Sequence, residues 1–512
     1  MKKTLSILLM AFASVGLFAK AKVITYPVPQ SEKAYTSYKV TVNGIPVDCY
    51  KAQSPQYLGG EYYFCYFDFE GEVEVKVHNS KGFFQRVSYT ATPQQHAEAA
   101  KNIVGEVMPR SLNAKVTKHD AVFKANKPFK AIVIREERNM PLIIFGNPIE
   151  KNAPKKGDKD VIYYDAGVHY KWVVELKDNQ TLYLAGGAVL KGAVVARGKN
   201  IKIMGRGIIS LDNIERGTNH GALRLFNCDG VVVDGVIVKD PVGWTFSMHE
   251  SKNILINNFK LCAARMINDD AIDICNTSNV KIIDTFGRAQ DDIIAIKGLY
   301  RSGEAYAGRK PDPTKNDRMN NGACDNIYIE NCIFWTDAAN IFRIGYECYA
   351  PSYKNLTCKN LFVPFYSKGR DPVASKEWAH AIIFMQPNME LTMENFHFDG
   401  IEIRSSGLNY STIVLGSHRT SYGEARIHGK LQPYGRIKNC SFKNIEVYGK
   451  KSGYCYGQSG SWKGEIYILG RDKDHMVENI TIENVKYFGE KITKDSPCVN
   501  IVPDFTKNIV IK

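Results

Sequence analysis

Two short segments of this chain gather acidic side chains around apolar, strand-like runs. The first reads Asn268-Asp269-Asp270-Ala271-Ile272-Asp273-Ile274 and the second Gln290-Asp291-Asp292-Ile293-Ile294-Ala295-Ile296-Lys297. Asp291 and Asp292 follow Asp270 by 21 and 22 residues. If that interval is one coil of a repeating structure, equivalent positions stack about 4.8 Å apart, the spacing of neighbouring strands. Three carboxylates then share one patch, and like charges that close raise the pKa of at least one of them. A protonated acid beside an ionised carboxylate is the minimum apparatus for hydrolysing a glycosidic bond. The plainer reading is structural: Asp at a turn caps backbone N–H groups, and paired carboxylates also bind Ca²⁺. Both clusters falling at one-coil register, with Asp273 and Lys297 close by, favours the catalytic reading.

The elements that must position these residues repeat along the chain. A phrase of Asn or Gly followed by alternating apolar residues begins at Asn200, Gly230, Asn253 and Asn279. It returns at Asn326, Asn355, Asn395, Asn439, Asn479 and Asn508. The early spacings are 30, 23 and 26 residues, and the later ones stretch to 29–47 where loops are inserted. Period-two β-branched runs dominate and helical periodicity is nearly absent. Short strands at such a period cannot each bury a face alone, but stacked solenoid coils do, with Asn tolerated in left-handed turns. Propeller blades would need more strands than these runs supply.

The expected fold is all-β: a right-handed parallel β-helix over 157–512, preceded by a small β-sandwich domain over 22–156. Tyr38–Tyr50 and Tyr62–His78 alternate strictly, with Gly44 and Gly71 at turns, as in an antiparallel sandwich. Ile149–Asp160, rich in Lys and containing Pro154 and Gly157, reads as a linker or long loop. Gly186–Gly192 lacks the Gly-Lys-Ser/Thr ending of a phosphate loop and reads as a tight early coil.

With 512 residues, 44% hydrophobic and 23% charged, the chain is neither disordered nor collagen-like. Lys2 and Lys3, the apolar run Leu5–Phe18 and Ala19-Lys20-Ala21 form a secretory signal over residues 1–21. The run is too short for a membrane span, and no other qualifies. The first cysteine, Cys49, lies too late for lipid attachment, so a periplasmic or secreted protein is expected. Cleavage removes Lys2, Lys3 and Lys20 and lowers the net charge from +14 to +11. The remaining cations are scattered, with no basic cluster interleaved with aromatics, so nucleic acid is not an expected partner. Cys228, Cys262, Cys275, Cys332, Cys358 and Cys440 sit inside apolar repeats and read as small buried residues. No cofactor and no metal site is expected from Cys or His spacing, and a monomer is expected.

The two acidic segments resemble the paired motifs of glycoside hydrolase family 28, the polygalacturonase group, in which Asn-Thr-Asp is followed one coil later by Asp-Asp. Pro241–Phe246 resembles that group's strand leading into the site. The chain departs from the family where Gly-His-Gly is expected, reading Ala339–Gly345 instead. Its Arg436-Ile437-Lys438 lies too far downstream to serve as the Arg-Ile-Lys motif. Phe334–Asp337 and Asn340–Tyr346, with the N-terminal sandwich, look more like family 49, the dextranase and isopullulanase group of the same clan. The resemblance implies an inverting hydrolase of a polysaccharide or oligosaccharide. Asp291 would be the general acid, with Asp270 and Asp292 activating the water, although Asp291 and Asp292 could exchange roles. A separation near 5 Å by itself points to retention instead.

Asn268, Trp244, His249, Gln290, Lys297, Asn340, Arg343 and Tyr346 are the candidate substrate-binding residues, with Trp335 a further stacking candidate. The Gly298–Gly322 insert is expected to border the cleft. Two other readings remain open: a polysaccharide lyase, needing a Lys or Arg base and Ca²⁺, and a non-catalytic carbohydrate-binding solenoid.

Overall fold

The computed structural model describes residues 21–512 except 86, 88–89, 136–138, 216–220, 300–321, 367–380, 406–409, 417–425, 428–429, 432–433, 456–457 and 462–463. The expected signal segment, apart from Ala21, and nearly all of the Gly298–Gly322 insert thus lie outside the described residues.

The N-terminal part is two sheets packed face to face. One contains Lys22–Thr25, Tyr50–Gln53, Glu61–Glu70, Glu106–Met108, Phe129–Ile134 and Leu142–Pro148. The other contains Tyr38–Val42, Ile45–Val47, Val73–Asn79, Lys115–Val116 and Asp120–Ala125. Period-two alternation sends Val40, Val42, Val75, Val77, Cys65, Phe67 and Ile144 into the core between them. The pairing is antiparallel except between Glu61–Glu70 and Leu142–Pro148, which run parallel. A strictly antiparallel sandwich is thus corrected at one pair. Glu61–Glu70 is buried along almost its whole length because its second face meets the solenoid.

From Val161 onward the chain winds as a β-helix, in which 26 described strands form one continuous, almost wholly parallel network. Ile272 and Ile274 face the interior with Phe246, Met248, Ile294, Ile296, Phe342 and Ile344 from adjacent coils. Burying each such side chain contributes about 2 kcal/mol. Asn200, Asn253, Asn279 and Asn326 all have positive φ; the carboxamides of Asn253, Asn279 and Asn326 run as a ladder outside the turns, and that of Asn200 pairs with Asn179. Asn279 Nδ2 donates to Asn253 Oδ1 at 3.0 Å, and Asn326 Nδ2 to Asn279 Oδ1 at 2.9 Å. The amide side chain eases the left-handed conformation and pairs with its copy one coil away. The period seen in sequence is this ladder.

One flank of the solenoid, lined by Val189, Ile208, Ile237, Cys262, Phe286 and Trp335, packs on Tyr62, Phe64, Ile132 and Phe145 of the sandwich. Matched charges cross or edge the same seam: Arg206 Nε meets Asp68 at 2.9 Å, and Lys239 meets Asp212 at 2.8 Å. The eleven cysteines whose side chains are described are free, and ten of them are buried. Among the described residues no helix is long and apolar enough to cross a membrane.

Candidate active site

Strand register decides which side chains meet. Phe246 pairs with Ile272, Ile272 with Ile294, and Ile294 with Phe342. Two residues earlier on each coil, Trp244, Asp270, Asp292 and Asn340 therefore form one column. The turn backbone carries the pairing further, with Thr245 N donating to Asp270 O, Ala271 N to Asp292 O, and Ile293 N to Asn340 O. Asp291 precedes Asp292 at the turn, and carboxylate oxygens of Asp270, Asp291 and Asp292 lie within 4.8 Å of one another. That geometry could also hold a divalent cation.

Asp269 builds the turn that presents the trio. Its Oδ1 accepts from Gln290 N at 2.7 Å and Asp291 N at 3.1 Å, and its Oδ2 from Ala264 N at 2.7 Å and Met266 N at 3.4 Å. This acid has the capping role of the plainer reading, one residue away from the group facing the cleft. Thr245 and Thr336 secure the turns from either side, donating to Asp269 O and Asp291 O.

The three carboxyls have different surroundings. Asp291 is half-buried; its Oδ1 accepts from Asp292 N at 2.9 Å and its Oδ2 from Asn268 N at 3.1 Å. Burial first, then the charges of Asp270, Asp292 and Asp269, push its pKa far above the ordinary carboxylate range. Asp292 is buried; its Oδ1 accepts from Asn340 N at 2.9 Å and Asn340 Nδ2 at 2.7 Å. Burial and Asp270 raise it to about 6, with Arg343, Lys297 and the Asn340 bond holding it back. Asp270 pairs with Lys297 Nζ at 2.7 Å.

Lys297 binds three partners at once. Its ammonium lies 2.7 Å from both Asp270 and Asp273 and 3.7 Å from the centroid of the Trp244 ring. Burial disfavours its charge, but the two carboxylates overcome that and hold its pKa well above the ordinary lysine value. Burial likewise raises Asp273 strongly, so this acid shares its proton balance with the Lys297–Asp270 pair.

The predicted binding residues divide into groups. Trp244, half-buried, and Asn268, exposed at φ 63°, border the cleft. Gln290 is buried, its N–H fixed by Asp269. Asn340, Lys297 and Arg343 are buried and engaged within the protein; Arg343 Nη2 donates to Gln386 Oε1 at 2.7 Å, and its guanidinium lies over Phe384. His249 is also covered, stacked 4.9 Å from Phe226 with Nε2 3.0 Å from Ser247 Oγ. It is therefore no open sugar contact. Tyr346 lies on the strand Phe342–Cys348, and its side chain is outside the described residues.

Trp335 corrects an expectation. It is fully buried at the sandwich seam, with Nε1 donating to Asp337 Oδ1 and Arg288 over its ring at 4.0 Å. A stacking role on sugar is excluded because the N-terminal domain covers that flank. Asp273 was visible in sequence only as a neighbour. Register supplies its role: it lies two positions before Cys275, the partner of Lys297.

The model for glycosyl hydrolases family 28 matches residues 178–304, the segment holding Trp244, Asp270, Asp291, Asp292 and Lys297. Dex49A from Penicillium minioluteum superposes with a TM-score of 0.63 over 95% of this chain and 96% of that one, at 15% identity. The Yersinia enterocolitica family 28 exopolygalacturonase aligns over 96% of each chain at 11% identity with a TM-score of 0.46. No curated protein sequence matches the chain. The resemblance read from the acidic motifs is thus supported: the chain has the β-helix of the polygalacturonase- and dextranase-like glycoside hydrolase clan. Its matched family 28 segment carries the carboxylate trio.

Proposed function

We propose that the chain is an exported glycoside hydrolase that cleaves O-glycosidic bonds of a polysaccharide or its oligosaccharides with inversion. The observation carrying this reading is the clustering of three carboxyls in unlike surroundings: Asp291 held by backbone N–H groups, Asp292 by Asn340, and Asp270 by Lys297. Asp291, pushed well above the ordinary carboxylate range by burial and its acidic neighbours, is the group suited to act as the general acid. It gives its proton to the glycosidic oxygen as the bond to the anomeric carbon breaks. Asp270 and Asp292 take a proton from a water that attacks the same carbon from the opposite face. One proton leaves Asp291 and one arrives at the pair, so exchange with solvent restores the starting state. Asn340 and Lys297 position the bases: Asn340 fixes Asp292, and Lys297 fixes Asp270.

A lyase needs a base to remove a carbon-bound proton. Lys297, the cation nearest the trio, is held protonated by Asp270 and Asp273, which disfavours that chemistry. Inversion rests on the clan resemblance, and proton NMR of the first-formed anomer tests it.

The reading as a whole is tested on a panel of dextran, pullulan, polygalacturonate, arabinan and sulfated galactans with reducing-end detection. Release from one of them is expected, with Asp291→Asn lowering kcat by about a thousandfold or more, the scale of losing a general acid. Full activity in Asp291→Asn overturns the assignment.

A further inference from the structure

Arg197, exposed, and Arg224, half-buried, stand on the outer face of the solenoid, on the cleft side, and among the described residues neither has a carboxylate at ion-pair distance. Register places Arg224 beside Ser247, and Ser247 beside Asp273. Arg197 likewise stands beside Phe226, in the column that continues through His249 and Cys275 to Lys297. Arg224 is thus two coils from the Asp270–Asp273 strand, about 10 Å at the usual strand spacing. Trp244 lies on the coil between them.

The two guanidiniums share one aromatic support. Arg197 lies 4.8 Å and Arg224 6.0 Å from the Phe226 ring centroid, and His249 stacks beneath that ring. Gly221 makes room for the arrangement, since a Cβ there would come within 3.1 Å of Arg224 Cγ. Arg224 is half-buried, and its Nε is buried without a hydrogen bond. Burial first, then the charge of Arg197, lowers its pKa below the ordinary arginine value. The carboxylates in its column, Glu175 and Asp273, are each two strands away, about 10 Å. Arg206 and Arg288, by contrast, each have an aspartate at 2.9–3.0 Å. Like charges brought together over a hydrophobic ring with a buried N–H unused are costly unless an anion completes them.

We propose that Arg197 and Arg224 form an anion-recognising subsite of the cleft, taking a carboxylate or sulfate substituent of the glycan two coils from the cleavage point. The proposal rests on the hydrolase reading for the identity of the ligand. Guanidinium forks suit both oxyanions, and Trp244 lies on the line a glycan would follow from Arg224 to Asp270. The pair thereby selects acidic over neutral chains at a place unrelated to the family motifs.

Binding to the Asp291→Asn chain separates this from catalysis. Oligogalacturonides, sulfated galactan oligosaccharides and neutral isomalto-oligosaccharides are titrated by calorimetry at low and high salt. One anionic series is expected to bind more tightly than the neutral one, and its identity distinguishes carboxylate from sulfate. Adding Arg224→Gln weakens that series about tenfold or more and flattens its salt dependence. Arg197→Gln, at an exposed position with no folding risk, acts in the same direction with a smaller change. The thermal midpoint of Arg224→Gln is not lowered, because only the long 6.0 Å contact with the Phe226 ring is given up while the repulsion from Arg197 is relieved. Anionic affinities unmoved by either substitution, no binding of either anionic series, or an equal loss for neutral glycans overturns the subsite. Turnover by the unsubstituted chain decides the hydrolase reading separately.

Discussion

Two buried charge clusters in this molecule are built from the same residue types and behave in opposite ways. At the seam between sandwich and solenoid, three bases face four acids, and every one of these acids has a cation in contact. Lys191 and Lys239 face Glu32, Asp212 and Asp240, while Arg206 faces Asp68. Asp212 is held at about 2 by Lys239 and Lys191, against the opposing effect of its burial. At the cleft, Asp270, Asp273, Asp291 and Asp292 crowd around Lys297, with Arg343 acting on Asp292 from further off. There Asp292 rises to about 6, and Asp273 and Asp291 rise well above the ordinary range. Burial is common to both; the ratio of acids to bases decides whether a cluster locks a surface or stores a proton.

The largest effect that tests this contrast is loss of a seam cation. Arg206→Met leaves Asp68 fully buried without its partner, and about 3–5 kcal/mol of stability is expected to disappear in denaturant titration. Hydrolysis per folded molecule should be unchanged. Lys297→Met should do the reverse in emphasis, lowering kcat at least a hundredfold because Asp270 loses the ammonium that fixes it. If both variants lose stability and activity alike, the two clusters are not distinct in kind.

The pH dependence of stability sharpens the comparison because the signs differ. Asp212 is depressed, so its contribution is full above about pH 4 and is lost as pH falls toward 2. Asp292 is raised from 3.8 to about 6, so the folded state binds the extra proton in that window. Stability from this group is therefore greatest below about pH 4 and declines as pH climbs to 6, by about 1–3 kcal/mol. Asp292→Asn should flatten that decline, whereas Asp212→Asn should flatten only the loss at lower pH. Melting curves from pH 3 to 7 measure both.

Asn340→Ala is the smallest perturbation. It removes the 2.7 Å bond from Nδ2 to Asp292 while the backbone bond remains. A hydrogen bond to a charged group contributes about 1.5 kcal/mol, so the acid limb of the kcat profile should move upward by about one pH unit. An unmoved limb would mean that Asn340 only shapes the turn and does not tune the base.

Much of this was legible in the chain itself. The Asn-phrase period announced coils, and the interval of 21–22 residues placed Asp270, Asp291 and Asp292 on one patch, although only strand register put Asp292 in the column of Asp270. Both signals are local: a strand's side-chain period and a turn's demand for Asn depend on neighbours within one coil. Asp269 was less legible because adjacent aspartates look identical in sequence. One staples the turn and the next faces the cleft, and only backbone direction separates them. Arg197 and Arg224 carried no motif at all, and their kinship appears only once Phe226 lies between coils.

Trp335 shows the boundary most clearly. As an aromatic on a β-helix strand beside the acidic coils, it had the credentials of a sugar platform. Its fate was decided by the sandwich, whose Tyr62 reaches 201 residues along the chain to donate to Ala263 O at 2.7 Å. The sequence by itself determined the coil, the acids and their spacing, since these follow from short-range periodicity. Which flank was sealed, which cation met which acid, and which carboxyls burial pushes upward were decided by tertiary structure. Burial and charge proximity are properties of segments brought together in space, and no local period encodes them.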